Sequence, residues 1–132
     1  MEFKIDTKEK FTVLIPLEIA LSDNMTADLV AACVPFLEKE VKNLVLNLKE
    51  VKSIESGITK ALAELQQTFY DRNASFVVCE VGKTLTETFE KEDIIDLLNQ
   101  TPTESEAWDI VQMEEIEREL MDGFDMEFEK NE

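Results

Sequence analysis

The stretch VKSIESGITKALAELQQTF, from Val51 to Phe69, carries the change from strand to helix on which the fold depends. It follows LVLNL, a short run of leucine and valine that is typical of a strand buried on both faces. Apolar residues at helical spacing come after the serine: Ile58, Ala61, Leu62, Leu65 and Phe69. A buried strand that leads into an amphipathic helix predicts one half of a βαβ unit.

Two roles fit Ser56, which stands just before the helical repeat. As an N-cap, its oxygen would accept hydrogen bonds from free N–H groups of the first turn, and losing such a cap costs about 1 kcal/mol. As a phosphoacceptor, it would place a phosphate at the positive end of the helix dipole, although Glu55 beside it would repel the new charge. The spacing alone leaves both roles open.

The segments on either side alternate strands with helices. EFKID and FTVLIPL predict a β-hairpin with a connection of four or five residues. A helix follows from Leu29 to Val41, and Pro35 inside it predicts a kink or a break. SFVVCEV predicts a second buried strand, and a short helix over Thr84–Phe89 and the run IIDLL complete the alternation. We therefore predict an α/β fold with a four- to five-stranded mixed sheet, an N-terminal β-hairpin and about four helices.

The end of the chain predicts an amphipathic helix followed by an acidic tail. Thr103 and Glu106 fit a capping box, and Gly123 is placed to end the helix. One apolar stripe lines this helix and consists of Ile110, Met113, Ile116, Leu120 and Phe124, with Trp108 and Val111 close by. We expect these side chains to cover the core, and the alternative is that they form a groove for a dimer or a partner. The last residues alternate apolar and acidic side chains, so strand addition to a sheet edge stays open beside a frayed end. We predict a domain over residues 1–121, including this helix, and an acidic tail over 122–132.

Composition argues against several classes of function. The chain has no histidine, which removes the commonest general base and metal ligand. Cys33 and Cys79 stand in apolar segments without a partner pattern, so both are expected to be buried thiols. The net charge of −17 argues against nucleic acid, and residues 100–132, with 12 acidic and 2 basic side chains, predict a solubilising end or a face for a basic partner. We expect a cytoplasmic protein with no direct membrane insertion, no cofactor and no metal site.

Two further patterns are weak signs of chemistry. Gly82-Lys83-Thr84 lacks the upstream glycine of a phosphate-binding P-loop and predicts a turn from strand to helix. The carboxylates of Glu114-Glu115, Asp93 and Asp96 are typical of solvated helix faces in a chain with 30 acidic residues. The acids around Asp122–Glu129 lack the spacing and glycine of a calcium loop. We therefore predict a protein without enzymatic activity.

The segment VLNLKEVKSIESGITKAL resembles the signature of the STAS domain, which is found in bacterial anti-sigma factor antagonists. In that family an LNL-type strand runs into Ile/Met-Asp-Ser-Ser-Gly and then an apolar helix. Glu55 falls on the family's aspartate, and Ser56 falls on the serine that partner kinases phosphorylate. FVVCEVGKTLTETFEKEDIIDLL is similar to the next strand, short helix and final short strand, and TPTESEAW is similar to the start of the last helix.

The chain also departs from the family pattern. Gly57 replaces the second serine and Ile58 replaces the glycine, which predicts a different backbone and a bulkier surface before the helix. The turn Pro16-Leu17-Glu18-Ile19 lacks the glycine that the family has after its second strand. Both changes fall in the region where family members meet their kinases.

The resemblance implies a partner switch. The unmodified protein would bind an anti-sigma factor that is a serine kinase, until phosphorylation of Ser56 ends the contact by adding about −1.5 to −2 charges. The implied partner-binding loop consists of Glu18, Glu55, Ser56, Gly57 and Ile58. The alternatives are a STAS subunit that is never phosphorylated, in a signalling or lipid-transport complex, and a small-ligand sensor. A dimer through the C-terminal helix is a further expectation.

Overall fold

The computed structural model describes the backbone of residues 1–130 and the side chains of residues 1–121. The strands are β1 (Phe3–Thr7), β2 (Thr12–Pro16), β3 (Ala20–Leu21), β4 (Leu44–Asn47), β5 (Ser53–Ile54), β6 (Phe76–Cys79) and β7 (Asn99–Gln100). The α-helices are α1 (Thr26–Cys33), α2 (Ser56–Asp71), α3 (Lys83–Lys91) and α4 (Glu104–Lys130). After the first two strands, strands and helices alternate along the chain except that β5 directly follows β4.

The main sheet has the strand order β1-β2-β4-β6-β7. β1 and β2 form an antiparallel hairpin in which Phe3 lies opposite Pro16, and Lys8–Phe11 connects them. β2, β4, β6 and β7 run parallel to one another and are joined by crossovers that contain helices. The predicted α/β fold, with its mixed sheet, its N-terminal hairpin and four α-helices in the described backbone, is confirmed.

Helices cover both faces of the sheet. Successive side chains of a strand point to opposite faces, so each strand contributes to two apolar cores. The larger core lies on the side of α1, α2 and α3, and its fully buried members include Leu14, Leu29, Leu46, Ile58, Leu62, Phe69, Phe76 and Phe89. A smaller core lies on the side of α4 and consists mainly of Phe11, Val13, Ile15, Val45, Val77, Cys79, Ala107 and Val111. Because both faces are covered, β4 and β6 are buried along their whole length, which explains their continuous apolar sequences.

The helix after β3 breaks at the predicted place. α1 ends at Cys33, and a 3₁₀ helix over Val34–Glu38 follows it, with Pro35 near its start. The proline ring removes one backbone donor and obstructs the preceding turn, so an α-helix does not continue through it. Phe36 and Leu37 stay buried, and the change of helix type therefore keeps the apolar side on the core.

The run IIDLL corrects the expected final strand. Ile95–Leu97 form a 3₁₀ helix, and the short strand β7 comes two residues later, at Asn99–Gln100. Asp93 has a φ of 60° and turns the chain out of α3, so the apolar run begins in a turn. A short apolar run does not by itself distinguish a strand from another buried segment, which explains the error.

The end of α4 corrects two further predictions. The helix runs past Gly123 to Lys130, so neither the predicted stop at this glycine nor the strand alternation after it is found. A glycine inside a helix costs about 1 kcal/mol relative to alanine but does not break it. Extending an existing helix also needs no new nucleus. The division into a domain over 1–121 and a tail over 122–132 stays a prediction.

The start of α4 is close to the prediction, whereas its orientation differs from it. The N–H of Glu106 donates to Oγ1 of Thr103 at 3.2 Å, as a capping residue requires. Among the described side chains of α4, those of Ala107 and Val111 are completely buried against the sheet. Most of the predicted core-covering stripe is exposed, with Met113, Ile116 and Leu120 at 56%, 56% and 66%, so that prediction is wrong.

Candidate functional site

The loop that leads into α2 is held against a segment far away in the chain. β3 and β5 form a two-stranded parallel sheet, with Ala20 opposite Ser53 and Leu21 opposite Ile54. The N–H of Lys52 donates to the carbonyl of Ile19 at 2.6 Å, which extends this pairing by one bond. The turn after β2 and the serine loop after β4 therefore form one surface at the start of α2.

Ser56 is the first residue of α2 and is not its cap. Glu55 has extended backbone angles and occupies the N-cap position, and neither residue's side chain bonds to the free N–H groups of the first turn. The carbonyl of Ser56 accepts from Oγ1 of Thr59 at 2.8 Å, while the side chain of Ser56 is exposed. The capping role, one of the two that the spacing leaves open for Ser56, is therefore wrong.

The cap comes instead from Asp23, which precedes α1 in the chain. Oδ1 of Asp23 accepts from the N–H of Gly57 at 2.6 Å, which satisfies a free donor of the first turn. In return, Oε1 of Glu55 accepts from the N–H of Asp23 at 2.7 Å. Asp23 lies in the polar run Ser22-Asp23-Asn24 before α1, and no local signal in the sequence reveals a partner 34 residues away.

Gly57 makes this contact sterically feasible. A Cβ on Gly57 would lie 2.5 Å from Oδ1 of Asp23 and 3.3 Å from Oγ1 of Thr26. The first of these distances is too short for any real Cβ, so a larger residue would displace the carboxylate. The close approach of the Asp23 carboxylate therefore explains why a glycine stands at position 57.

The remaining residues of the predicted loop separate into surface and core. Ser53, Glu55 and Ser56 are exposed, Glu18 and Gly57 are half-buried, and Leu17 and Ile19 expose 46% and 73% of their surface beside them. Ile58 is fully buried and belongs to the larger core, so the expected bulkier surface at this position is wrong. The exposed apolar side chains of this surface come from the turn after β2, where the carbonyl of Ile19 accepts from the N–H of Lys52.

Two carboxylates are placed near Ser56. The carboxylate of Glu55 belongs to the adjacent residue, and that of Asp23 binds the N–H of the next one. A phosphate on Ser56 would therefore enter a region where a carboxylate already occupies the N–H of Gly57. Its charge of about −2 would repel both carboxylates and strain the contact that holds the loop.

The two cysteines are buried and free, as the sequence predicted. Burial raises the pKa of the Cys33 thiol to about 12. Burial, together with the charges of Glu104 and Glu80, also raises the pKa of the Cys79 thiol. Both side chains therefore act as small apolar groups at neutral pH.

The described part of the chain has neither a metal-binding cluster nor a membrane-spanning helix. There, no group of three or more histidine, cysteine, aspartate or glutamate side chains is arranged to hold a metal ion. No helix of the described chain has the length and apolar content needed to cross a membrane.

Comparison with known proteins gives the family. The model of the STAS domain matches residues 4–107, which is most of the chain. The chain belongs to the STAS domain family. The match runs from the second residue of β1 through β7 to the start of α4, and it includes the loop before α2. A comparison with curated protein sequences finds no significant match.

Solved structures with the same fold come from proteins of different kinds. A candidate anti-sigma factor antagonist from Thermotoga maritima aligns with a TM-score of 0.74 at 17% identity, over 83% of this chain and 94% of the other. A sulfate transporter family protein from Wolinella succinogenes aligns with a TM-score of 0.69 at 14% identity, over 83% and 90%. The anti-sigma factor antagonist SpoIIAA in its unphosphorylated form aligns with a TM-score of 0.65 at 13% identity, over 84% and 96%. At these identities the likeness establishes the shared fold.

Proposed function

We propose that this STAS domain is a regulatory module that binds another protein through the surface around Ser56, and that its partner is an anti-sigma factor with serine kinase activity. The observation that carries the proposal is the position of Ser56, an exposed hydroxyl at the first residue of α2. The exposed side chains of Leu17 and Ile19 lie on the turn that β3 and β5 hold against the serine loop. Apolar groups beside a modifiable hydroxyl suit a contact that a phosphate can end.

The proposed switch acts through charge. Without phosphate, the partner packs on Leu17, Ile19 and the start of α2. Phosphorylation of Ser56 adds about −1.5 to −2 charges to the interface, beside the carboxylates of Asp23 and Glu55. The partner leaves because this charge would otherwise have to be buried. In this proposal the protein acts by binding and carries out no reaction itself.

A constitutive interaction subunit is the second candidate. The observation that favours it is the carboxylate of Asp23, which already occupies the N–H of Gly57 at the start of α2. Because a carboxylate already lies at this position, a phosphate on Ser56 would change the charge of the loop less, and its affinity for a partner would change less. The structural likeness to a sulfate transporter family protein supports the same candidate, because that STAS fold comes from a protein outside the antagonist group.

The test compares the wild type with Ser56→Asp and Ser56→Ala, each immobilised and exposed to native lysate, with bound proteins identified by mass spectrometry. We expect Ser56→Ala to hold the kinase as the wild type does, and Ser56→Asp to bind it at least tenfold more weakly. Ser105→Asp is the matched control, because Ser105 is an exposed serine in the first turn of another helix, α4.

The outcomes separate the two candidates. Loss of the kinase with Ser56→Asp but not with Ser105→Asp supports the switch. A partner held equally by the wild type and both Ser56 variants would favour the constitutive subunit. If no ATPase-type kinase binds the wild type, the antagonist proposal fails.

A further inference from the structure

The outer side of α4 carries apolar residues that the domain leaves uncovered. Met113, Ile116 and Leu120 recur at spacings of three and four, so their side chains lie along one side of the helix. Each exposes more than half of its surface, at 56%, 56% and 66%. These three residues are called the outer stripe below.

The helix does not rotate to bury this stripe, because specific polar contacts fix its inner side. Nδ2 of Asn43 donates to Oε1 of Glu115 at 2.6 Å, and Nδ2 of Asn99 donates to Oε2 of Glu114 at 2.9 Å. Nη1 of Arg118 donates to Oγ of Ser75, which is buried, at 3.2 Å. Rolling the helix would break these bonds and leave buried polar groups without partners.

Carboxylates border the outer stripe. Asp109, Glu117 and Glu119 are exposed, and at 100° per residue Glu117 and Glu119 lie on opposite sides of the stripe. The carboxylates of Glu114 and Glu115 are used on the inner side. The wider segment 100–132 has 12 acidic and 2 basic side chains, a net charge of −10. An apolar strip between acidic rims requires a partner that is apolar in the middle and basic at its edges.

We propose that the outer stripe is a docking site for a basic amphipathic helix of another protein. Such a helix would place leucine-like side chains on Met113, Ile116 and Leu120 and lysine or arginine against Glu117 and Glu119. A second copy of this chain would bring two segments of charge −10 together, and phosphate-rich partners would be repelled. Charge therefore selects the basic helix among the candidate occupants.

This surface is separate from the one around Ser56. α2 packs with the larger core on one face of the sheet, whereas α4 packs with the smaller core on the other face. The contacts of Glu115 and Arg118 with Asn43 and Ser75 place the stripe beside the amino ends of β4 and β6, while Ser56 follows the carboxyl end of β4. The docking proposal does not depend on the proposed switch.

The test measures binding of a synthetic helix to the full chain by fluorescence anisotropy. The probe is a labelled peptide of leucine and lysine with leucine at spacings of three and four, and the reference is a scrambled peptide of the same composition. We expect the ordered peptide to bind at least tenfold more tightly than the scrambled one. Equal binding of the two peptides would reduce the effect to general charge attraction and overturn the proposal.

Variants locate the binding. Ile116→Gln/Leu120→Gln keeps helix propensity and should weaken binding of the ordered peptide at least tenfold, while Ile5→Gln/Leu97→Gln, which changes two other exposed apolar residues, should not. Glu117→Lys/Glu119→Lys should also weaken it at least tenfold. Glu90→Lys/Glu92→Lys changes the net charge equally on another exposed surface and should have a clearly smaller effect.

Two results would overturn the assignment. If the outer-stripe variant binds the peptide as the wild type does, the contact lies elsewhere. If sedimentation shows that the chain alone dimerises, and Ile116→Gln/Leu120→Gln makes it monomeric, the occupant is a second copy instead of a basic helix. Circular dichroism of each variant establishes that α4 is still folded when its binding is measured.

Discussion

α2 and α4 are both long amphipathic helices, but they meet the sheet in different ways. α2 buries a continuous apolar side, including Ile58, Leu62 and Phe69, in the larger core. α4 completely buries Ala107 and Val111, packs Ile110 partly against the smaller core, and also contacts the sheet through polar side chains, such as the bond of Glu115 with Asn43. The apolar stripe on α2 therefore stabilises the domain, whereas the one on α4 remains available for binding.

The difference shows what apolar spacing does and does not determine. Spacing of three and four identifies a helix with an apolar side, but the side that faces the sheet depends on what fits there. The surface offered by Val13, Val45 and Val77 receives the small side chains of α4. Close packing favours a small residue where the helix crosses the sheet, even when larger apolar residues occur on another side of the helix.

The largest effect is expected from Phe69→Ala in α2. Phe69 is fully buried and its ring centroid lies 5.3 Å from that of Phe76. Removing the ring leaves a cavity in the larger core, and such a substitution costs about 3–5 kcal/mol of the free energy of unfolding. Urea denaturation measures this loss.

The matched control is Tyr70→Ala, one residue further along the same helix. Tyr70 exposes 72% of its surface, so its truncation should change the free energy of unfolding by less than about 0.5 kcal/mol. A similar cost for both variants would mean that the inner side of α2 has been assigned wrongly.

The two thiols provide a probe for each face. Cys33 lies in the larger core and Cys79 in the smaller core under α4, and both thiols have a raised pKa. Because the pKa of Cys33 rises from 9.0 to about 12 on folding, its contribution to stability is complete below pH 9 and is lost as the pH rises toward 12. The maximal slope is about 1.4 kcal/mol per pH unit for each thiol. Cys33→Ala should flatten the dependence of stability on pH in this range.

Alkylation of the same thiols measures whether the two faces of the sheet become exposed at the same denaturant concentration. Neither cysteine should react with iodoacetamide in the native protein at pH 8, because both are protonated and buried. As denaturant rises, we expect Cys79 to react before Cys33, since α4 covers the smaller apolar core. Simultaneous modification, followed by mass spectrometry of the labelled peptides, would indicate that both faces open together.

The caps of the two helices show how far sequence reasoning reaches. Thr103 was correctly predicted as a cap of α4, because the capping residue and the N–H that it binds lie three positions apart. Asp23 was not predicted as the cap of α2, because its partner Gly57 lies 34 positions away and comes near only when β3 pairs with β5. The order of strands and helices follows from local periodicity, whereas the details around Ser56 depend on contacts that only the folded chain brings together.

The smallest effect, about 1 kcal/mol, is expected from replacing the cap of α2, Asp23, or the cap of α4, Thr103. A double-mutant cycle with Gly57 tells the two caps apart, because Gly57 contacts only Asp23 of these two residues. Asp23→Ala and Thr103→Ala should each lower the free energy of unfolding by about this amount. Gly57→Ala should cost about the same, because its Cβ would lie 2.5 Å from Oδ1 of Asp23 and would displace the carboxylate from the N–H.

In the Asp23→Ala background, the same Gly57→Ala change should be neutral or stabilising, since the clash is gone and alanine favours a helix. Combined with Thr103→Ala, its cost should simply add, because that cap lies on another helix. Additive costs for Asp23 and Gly57 as well would mean that the two residues do not act together. The start of α2 would then be held by the β3–β5 pairing alone, and a phosphate on Ser56 would meet a free N–H at Gly57 instead of an occupied one.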